Sequence, residues 1–218
     1  MCNLYSMTRN VEAIRRLFGI SHNRATSVEP LPAIFPGHVA PIVREADGAR
    51  ELVTMAWGFV LLQLGRAPKR VTNTRDDKVQ GSFWRQSFEE RRCLVPASSF
   101  AEPNADVKPA TWHWFALAGE EPRPLFAFAG LWRRYRGPVK KDGEIVEQEV
   151  FSFMTTTPNT LVGSINHERM PVLLGDERAF ATWLQGSPAE ARALLTEYPP
   201  ERMRMVQAGY DKIDLLAP

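Results

Sequence analysis

A cysteine at the second position is the first residue of this sequence with unusual chemistry to offer. Once the initiator Met1 is removed, Cys2 presents a free α-amine and a thiol on neighbouring carbons. Their ordinary pKa values, about 8 and about 8.5, leave both partly deprotonated near neutrality. An aldehyde meeting that pair forms a Schiff base with the amine, and the thiol then closes a five-membered thiazolidine ring. An ester or amide is attacked by the thiolate alone. His167 is a second candidate, in the polar run Ser164-Ile165-Asn166-His167-Glu168-Arg169. Loops held by a sheet commonly carry catalytic groups. Glu102 is a third, following an apolar stretch from Cys93 and a small-residue turn through Ser98 and Ser99. A carboxylate at the end of a buried strand is suited to moving protons. Taken singly, each residue also fits a plain role: a tail cysteine, an exposed histidine, a solvated loop acid.

The remaining histidines, His22, His38 and His113, have no metal-ligand spacing, and Cys2 and Cys93 lie far apart. No metal and no cofactor is expected. Four cations fall between Arg66 and Arg75, with Trp57 upstream and Trp84 downstream. A second basic stretch, Arg133-Arg134-Tyr135-Arg136 with Lys140-Lys141, lies beside Trp132. Cations that track phosphates beside aromatic faces suit a single-stranded nucleic acid, although either stretch also reads as a solvated turn.

These residues need a scaffold, and the composition supplies one. The chain has 218 residues, 44% of them hydrophobic, enough for a single domain with a real core. Net charge is only +2, so the charge balance does not by itself imply nucleic acid. Two cysteines make no disulfide framework, and a reducing cytoplasm fits best. No apolar stretch approaches the ~20 residues that cross a bilayer. Patterning predicts a helix over 8–18, strands over 39–43 and 51–59, and a helix over 82–91 capped by Ser82. Strands follow over 93–95, 112–118, 125–132, 145–156 and 170–174. Helices over 176–185 and 188–197 and a strand over 202–207 complete the chain. The segment through Pro30, Pro32 and Pro36 reads as a loop too broken for regular structure. The sum is an α+β fold: one domain, residues 1–218, with a curved, mostly antiparallel sheet or barrel and peripheral helices. No alternation of strand and helix points to parallel pairing.

Seven blocks, in order, resemble the SRAP family, the SOS-response-associated peptidases or abasic-site-processing proteins. They are Met1-Cys2, Trp57-Gly58, Asn73-Thr74-Arg75, Arg92-Cys93-Leu94-Val95-Pro96-Ala97 leading to Glu102, Phe126 to Trp132, Thr155 to Asn159, and His167 to Leu174. The resemblance implies a barrel-like core with a basic groove, Cys2 at its floor, and a covalent thiazolidine link to abasic sites in single-stranded DNA. It implies a catalytic set of Cys2, Asn73, Glu102 and His167. It implies DNA contacts from Arg75 and Arg169, assisted by Pro36, Trp57 and Thr155, with Arg70 in the same basic segment. Lyase and self-cleaving peptidase activities are further implications, in a monomer of the cytoplasm that joins the nucleoid when bound to DNA. The chain departs from the family at Asn3-Leu4-Tyr5, at Phe59-Val60 after Trp57-Gly58, and at Ala101 and Pro103 flanking the acid. Two other readings stay open: a cysteine hydrolase built on Cys2 and His167, and a non-catalytic single-strand-binding module.

Overall fold

The middle of the chain carries apolar runs at 93–97, 126–131 and 150–154, and those runs are strands buried on both faces. The computed structural model describes residues 2–25, 29–104, 106–120 and 122–215, so Met1 lies outside the described residues. In chain order the first strands are β1 (Tyr5–Met7), β2 (His22–Asn23), β3 (Leu31–Ile34), β4 (Val39–Ala46) and β5 (Ala49–Trp57). There follow β6 (Phe59–Leu61), β7 (Lys69–Val71), β8 (Asn73–Arg75), β9 (Arg92–Ala97), β10 (Ser99–Asn104) and β11 (Thr111–Leu117). The last are β12 (Phe126–Gly137), β13 (Val146–Thr156), β14 (Met170–Pro171), β15 (Leu173–Leu174) and β16 (Met203–Gly209). The helices are α1 (Val11–Leu17), α2 (Arg85–Glu90), α3 (Thr160–Gly163), α4 (Glu177–Gln185) and α5 (Pro188–Ala193).

Five strands close a ring in the order β13-β12-β9-β4-β5, and β5 returns to β13. Four of the seams are antiparallel and the closing one is parallel, with Val150 opposite Ala56 and Phe151 opposite Trp57. β8 also runs parallel to β13, and β2 parallel to β5. Parallel pairing without helical crossovers is a departure from the sequence reading. Barrel closure, not strand–helix alternation, brings these strands side by side.

A second sheet, in the order β16-β11-β10-β1-β3, lies against the barrel. Its inner face contributes Tyr5, Phe100 and Phe115 to the same core as Phe128 and Phe153 of the barrel. Its outer face carries a smaller cluster of Leu4, Ala101 and Trp114. The Pro-rich segment is not wholly irregular, because β3 contains Pro32. The strand ends the sheet, and an edge is where a residue without an N–H is tolerated.

Helix ends follow local chemistry. Asn10, Asn159, Asp176 and Ser187 cap α1, α3, α4 and α5 through their side chains, and α5 has a full capping box. α2 starts two residues later than its Ser82 cap predicted. Phe83 and Trp84 turn inward first, and Trp84 stacks on Phe59 with ring centroids 5.2 Å apart. α4 seats Trp183 at the barrel, where its Nε1 donates to the carbonyls of Cys93 and Gly130. A Cβ on Gly130 would stand 2.7 Å from the Cys93 sulfur, so only glycine lets the two strands and this indole meet.

Candidate active site

Cys2 precedes β1, and its position follows from how that strand is held. Ser6 on β1 bonds Ser99 on β10 at 2.7 Å and Ser98 at 2.9 Å, and Ala101 N donates to Leu4 O. Asp214, far along the chain, accepts from Ser6 and Ser99 at 2.6 Å each and faces the Arg123 guanidinium. β1 and β10 are thereby fastened together, and with them Cys2 and Glu102. Cys2 is 1% exposed, and its thiol donates to the Leu4 carbonyl at 3.5 Å. Burial, and then the negative charge of Glu102, push the thiol well above its ordinary pKa.

Glu102 lies inside β10, a strand the sequence reading did not predict, and not at the end of the strand before it. Ser98 alone reverses the chain between β9 and β10, and Glu102 pairs in register with His113 of β11. The side chain is fully buried on the face that Phe100 shares, between sheet and barrel. It makes no well-aligned hydrogen bond. Its contacts are the 2.9 Å approach of His167 Nε2 to Oε2 and its charge on Cys2.

His167 sits between α3 and β14, in a loop anchored at both ends. Asn166, in the left-handed region at φ 54°, donates to Asp106 beyond β10. On the other side Arg169 donates to the Thr155 carbonyl and to Asp76. Asn159 holds the base of the loop, capping α3 and donating to the Tyr198 carbonyl at 2.7 Å.

Asn73 begins β8 and lies opposite Phe153 of β13. The residue before it is fixed from three sides: Trp57 Nε1 and Ser152 Oγ donate to Thr72 O, and Thr72 Oγ1 donates to Asn3 beside Cys2. Asn73 is 5% exposed, yet neither its Nδ2 nor its Oδ1 meets a partner among the described residues. Buried amides are nearly always satisfied, so an amide held rigid and unpaired marks a place for an incoming polar group. The Tyr5 hydroxyl is likewise buried without a partner. Burial, and then the nearby Cys2 and Cys93 thiols, raise its pKa well above normal. Cys2, Glu102 and His167 are thus linked by direct interaction, and Asn3 ties the β8 edge that carries Asn73 to the same end of the barrel.

The DNA-facing expectations divide. Arg75 is exposed, and Arg70 is half-buried against Gly37 and Gly58, next to the exposed Pro36. Both glycines have left-handed φ, and a Cβ on either would stand 3.2–3.3 Å from the Arg70 side chain. Trp57 and Thr155 do not face outward: both are fully buried. Trp57 lies where β5 meets β13, stacked near Phe153 at 5.2 Å, so its indole supports Thr72 and has no face for a base. Thr155 offers its carbonyl to Arg169 from within β13. In the second basic stretch, Arg133 is also spent internally. It lies 4.2 Å from the centroids of both Phe59 and Phe83, and burial draws its pKa down to about 10.

Two residues escaped the sequence reading. Asp77 grips Arg75 through two bonds of 2.9 and 2.8 Å, and Asp76 holds Arg169. The adjacency of Asp76-Asp77 to Arg75 was the available signal. Among the described residues no cluster of His, Cys, Asp and Glu suits a metal ion, and no helix is long and apolar enough to cross a membrane.

Comparison with known proteins follows the geometry. The profile of the family described as SOS response associated peptidase (SRAP) matches residues 1–211. No curated protein matches the sequence. A solved structure from Bordetella bronchiseptica shares 24% identity over 95% of this chain and 98% of its own, with a TM-score of 0.72. One from Bacteroides thetaiotaomicron shares 22% over 94% and 92%, with a TM-score of 0.74. A phage-related protein from Bordetella bronchiseptica shares 20% over 94% and 93%, with a TM-score of 0.69. At these identities the three structures establish a shared fold.

Proposed function

The chain belongs to the SOS response associated peptidase family, associated with DNA damage, and from that premise we propose that it captures abasic sites in single-stranded DNA through Cys2. The observation that carries this reading is the burial of the Cys2 thiol beside the Glu102 carboxylate, which His167 approaches at 2.9 Å. A hydrolase needs the thiolate, and this pocket disfavours it. A thiol that waits as S–H to trap an imine has no such need.

In the proposed reaction Met1 has been removed. The Cys2 α-amine attacks the aldehyde carbon of the ring-opened deoxyribose and gives a carbinolamine, which loses water to form the imine. The thiol sulfur then adds to the imine carbon while the thiol proton passes to nitrogen, closing the thiazolidine with water as the only by-product. Glu102 accepts and returns protons in these steps, and His167, 2.9 Å away, hands a proton to the sugar ring oxygen during ring opening. Asn73 orients the incoming sugar or the Cys2 backbone. Arg75 and Arg169, with Arg70 and Pro36 at the rim, hold flanking phosphates, and the protein acts as a monomer.

The test is incubation with an abasic single-stranded oligonucleotide followed by denaturing electrophoresis. A denaturation-resistant adduct is expected. Cys2→Ser should yield adduct only when a reductant fixes the imine, and a residue placed before Cys2 should abolish it. An equal yield from protein with Met1 demonstrably attached overturns the mechanism, since the amine would then be idle.

A further inference from the structure

β6 and β7 form a two-stranded hairpin, with Phe59 opposite Val71 and Leu61 opposite Lys69. At its tip Leu62 is 56% exposed and Leu64 completely so. A second tip, the turn between β12 and β13, comes alongside. Leu64 and Arg66 of the first and Lys140, Lys141 and Asp142 of the second line one open cleft of about 490 Å³. Three cations there face one carboxylate. Arg66, Lys69, Lys140 and Lys141 make no ion pair among the described residues, whereas Arg134 and Arg136, further down the same ladder, are answered by Glu149 and Glu147. The unanswered cations are gathered at the tips, beside the most exposed aliphatic side chain described. Cations beside an exposed aliphatic side chain suit a partner that is anionic and carries an apolar face.

Its place in the chain says what that is. β7 runs through Thr72 directly into Asn73 of β8. Leu64 is nine residues from Asn73, so it stands within about 30 Å of the pocket at the ~3.3 Å rise of extended chain. Basic residues mark the path: Arg70 against Gly58, then Lys69, then the tips. We infer that the paired tips are a second contact for the same DNA strand, holding its phosphates several nucleotides from the reacting sugar while Leu64 lies against a base. This rests on the abasic-capture reading and extends its footprint. The phosphates take Arg66, Lys140 and Lys141, and the aliphatic tip takes any base, so the contact carries no sequence preference.

The experiment compares the parent with Arg66→Gln/Lys140→Gln/Lys141→Gln and with Leu64→Ser, all at exposed positions outside the pocket. Each is offered abasic strands of about five and about twenty nucleotides. On the long strand the triple variant should bind roughly tenfold more weakly. Its dependence of log affinity on log salt should flatten by about 2, since each lost phosphate contact on single strands removes ~0.7. Leu64→Ser should lose affinity several-fold with the salt slope unmoved. On the short strand all three should crosslink at one rate. Unchanged long-strand affinity and slope in the triple variant overturn the inference while leaving abasic capture intact. If the parent crosslinks neither length, abasic capture fails, and a flattened slope on the long strand still identifies the tips as a strand contact. Anionic vesicles that bind the parent but not the triple variant, with the DNA slope unchanged, assign the surface to lipid and also overturn it.

Discussion

Replacing Asp214 by alanine should destabilise the protein more than any change to the exposed residues of the candidate site. The carboxylate is fully buried, and the Arg123 side chain that faces it is 4% exposed. Two serine hydroxyls also lose their acceptor, although Ser6 and Ser99 can still bond each other across 2.7 Å. Removing one partner of a buried pair costs about 3–5 kcal/mol, because the other charge stays in low dielectric. For a domain of this size each kcal/mol moves Tm by about 2–4 °C, so a fall of roughly 6–20 °C is expected. Thermal unfolding followed by circular dichroism at pH 7 reads it. The double variant Arg123→Met/Asp214→Leu should recover most of the loss, since an apolar pair of similar volume removes the charge together with its partner. A fall of less than about 2 °C in Asp214→Ala would refute the argument, and a double variant no better than the single would show that the charge on Arg123 is not the cause.

Three further outcomes follow from the site. Glu102→Gln should lower the Cys2 thiol pKa, because a nearby anion opposes thiolate formation; thiolate absorbance against pH reads this, with Cys93 held protonated by burial, and an unmoved midpoint would show that the two groups are not coupled. Asp77→Asn should tighten single-strand binding a few-fold and steepen its salt dependence, since Arg75 no longer has an internal carboxylate to leave; equal binding in salt titrations would count against Arg75 as a phosphate contact. Asn159→Ala should cost about 1–2 kcal/mol as a lost helix cap and slow adduct formation by loosening the His167 loop, whereas a stable protein with parental rates would separate that loop from the chemistry.

The long strands were readable because their burial on both faces writes itself as unbroken apolar sequence, as in Phe126 to Leu131. The three-residue strands β1, β6, β7 and β8 were not, since three positions cannot display a period of two. Glu102 was found but its strand β10 was not, because Pro96 to Ser99 carries turn residues for a reversal that the fold makes at Ser98 alone. The sequence reading put Trp57 on the DNA surface. An aromatic at a strand end looks the same whether it faces a groove or a neighbouring strand, and the β5–β13 seam that buries it joins residues almost a hundred positions apart. The polar fasteners were invisible for the same reason. Nothing near Ser6 announces Asp214, and nothing near Asn166 announces Asp106.

The Ser6–Asp214 bond spans 208 positions, which has a consequence for when the pocket comes into being. Loop-closure entropy must be met before so distant a contact repays it, and folds dominated by such contacts form slowly. On the ribosome, at about 5–20 residues per second, Asp214 is added some ten to forty seconds after Ser6. Throughout that interval Cys2 is already made, but the carboxylate that fastens β1 to β10 is missing. A cysteine thus has the strand pair that positions it fastened by a residue synthesised some two hundred positions later.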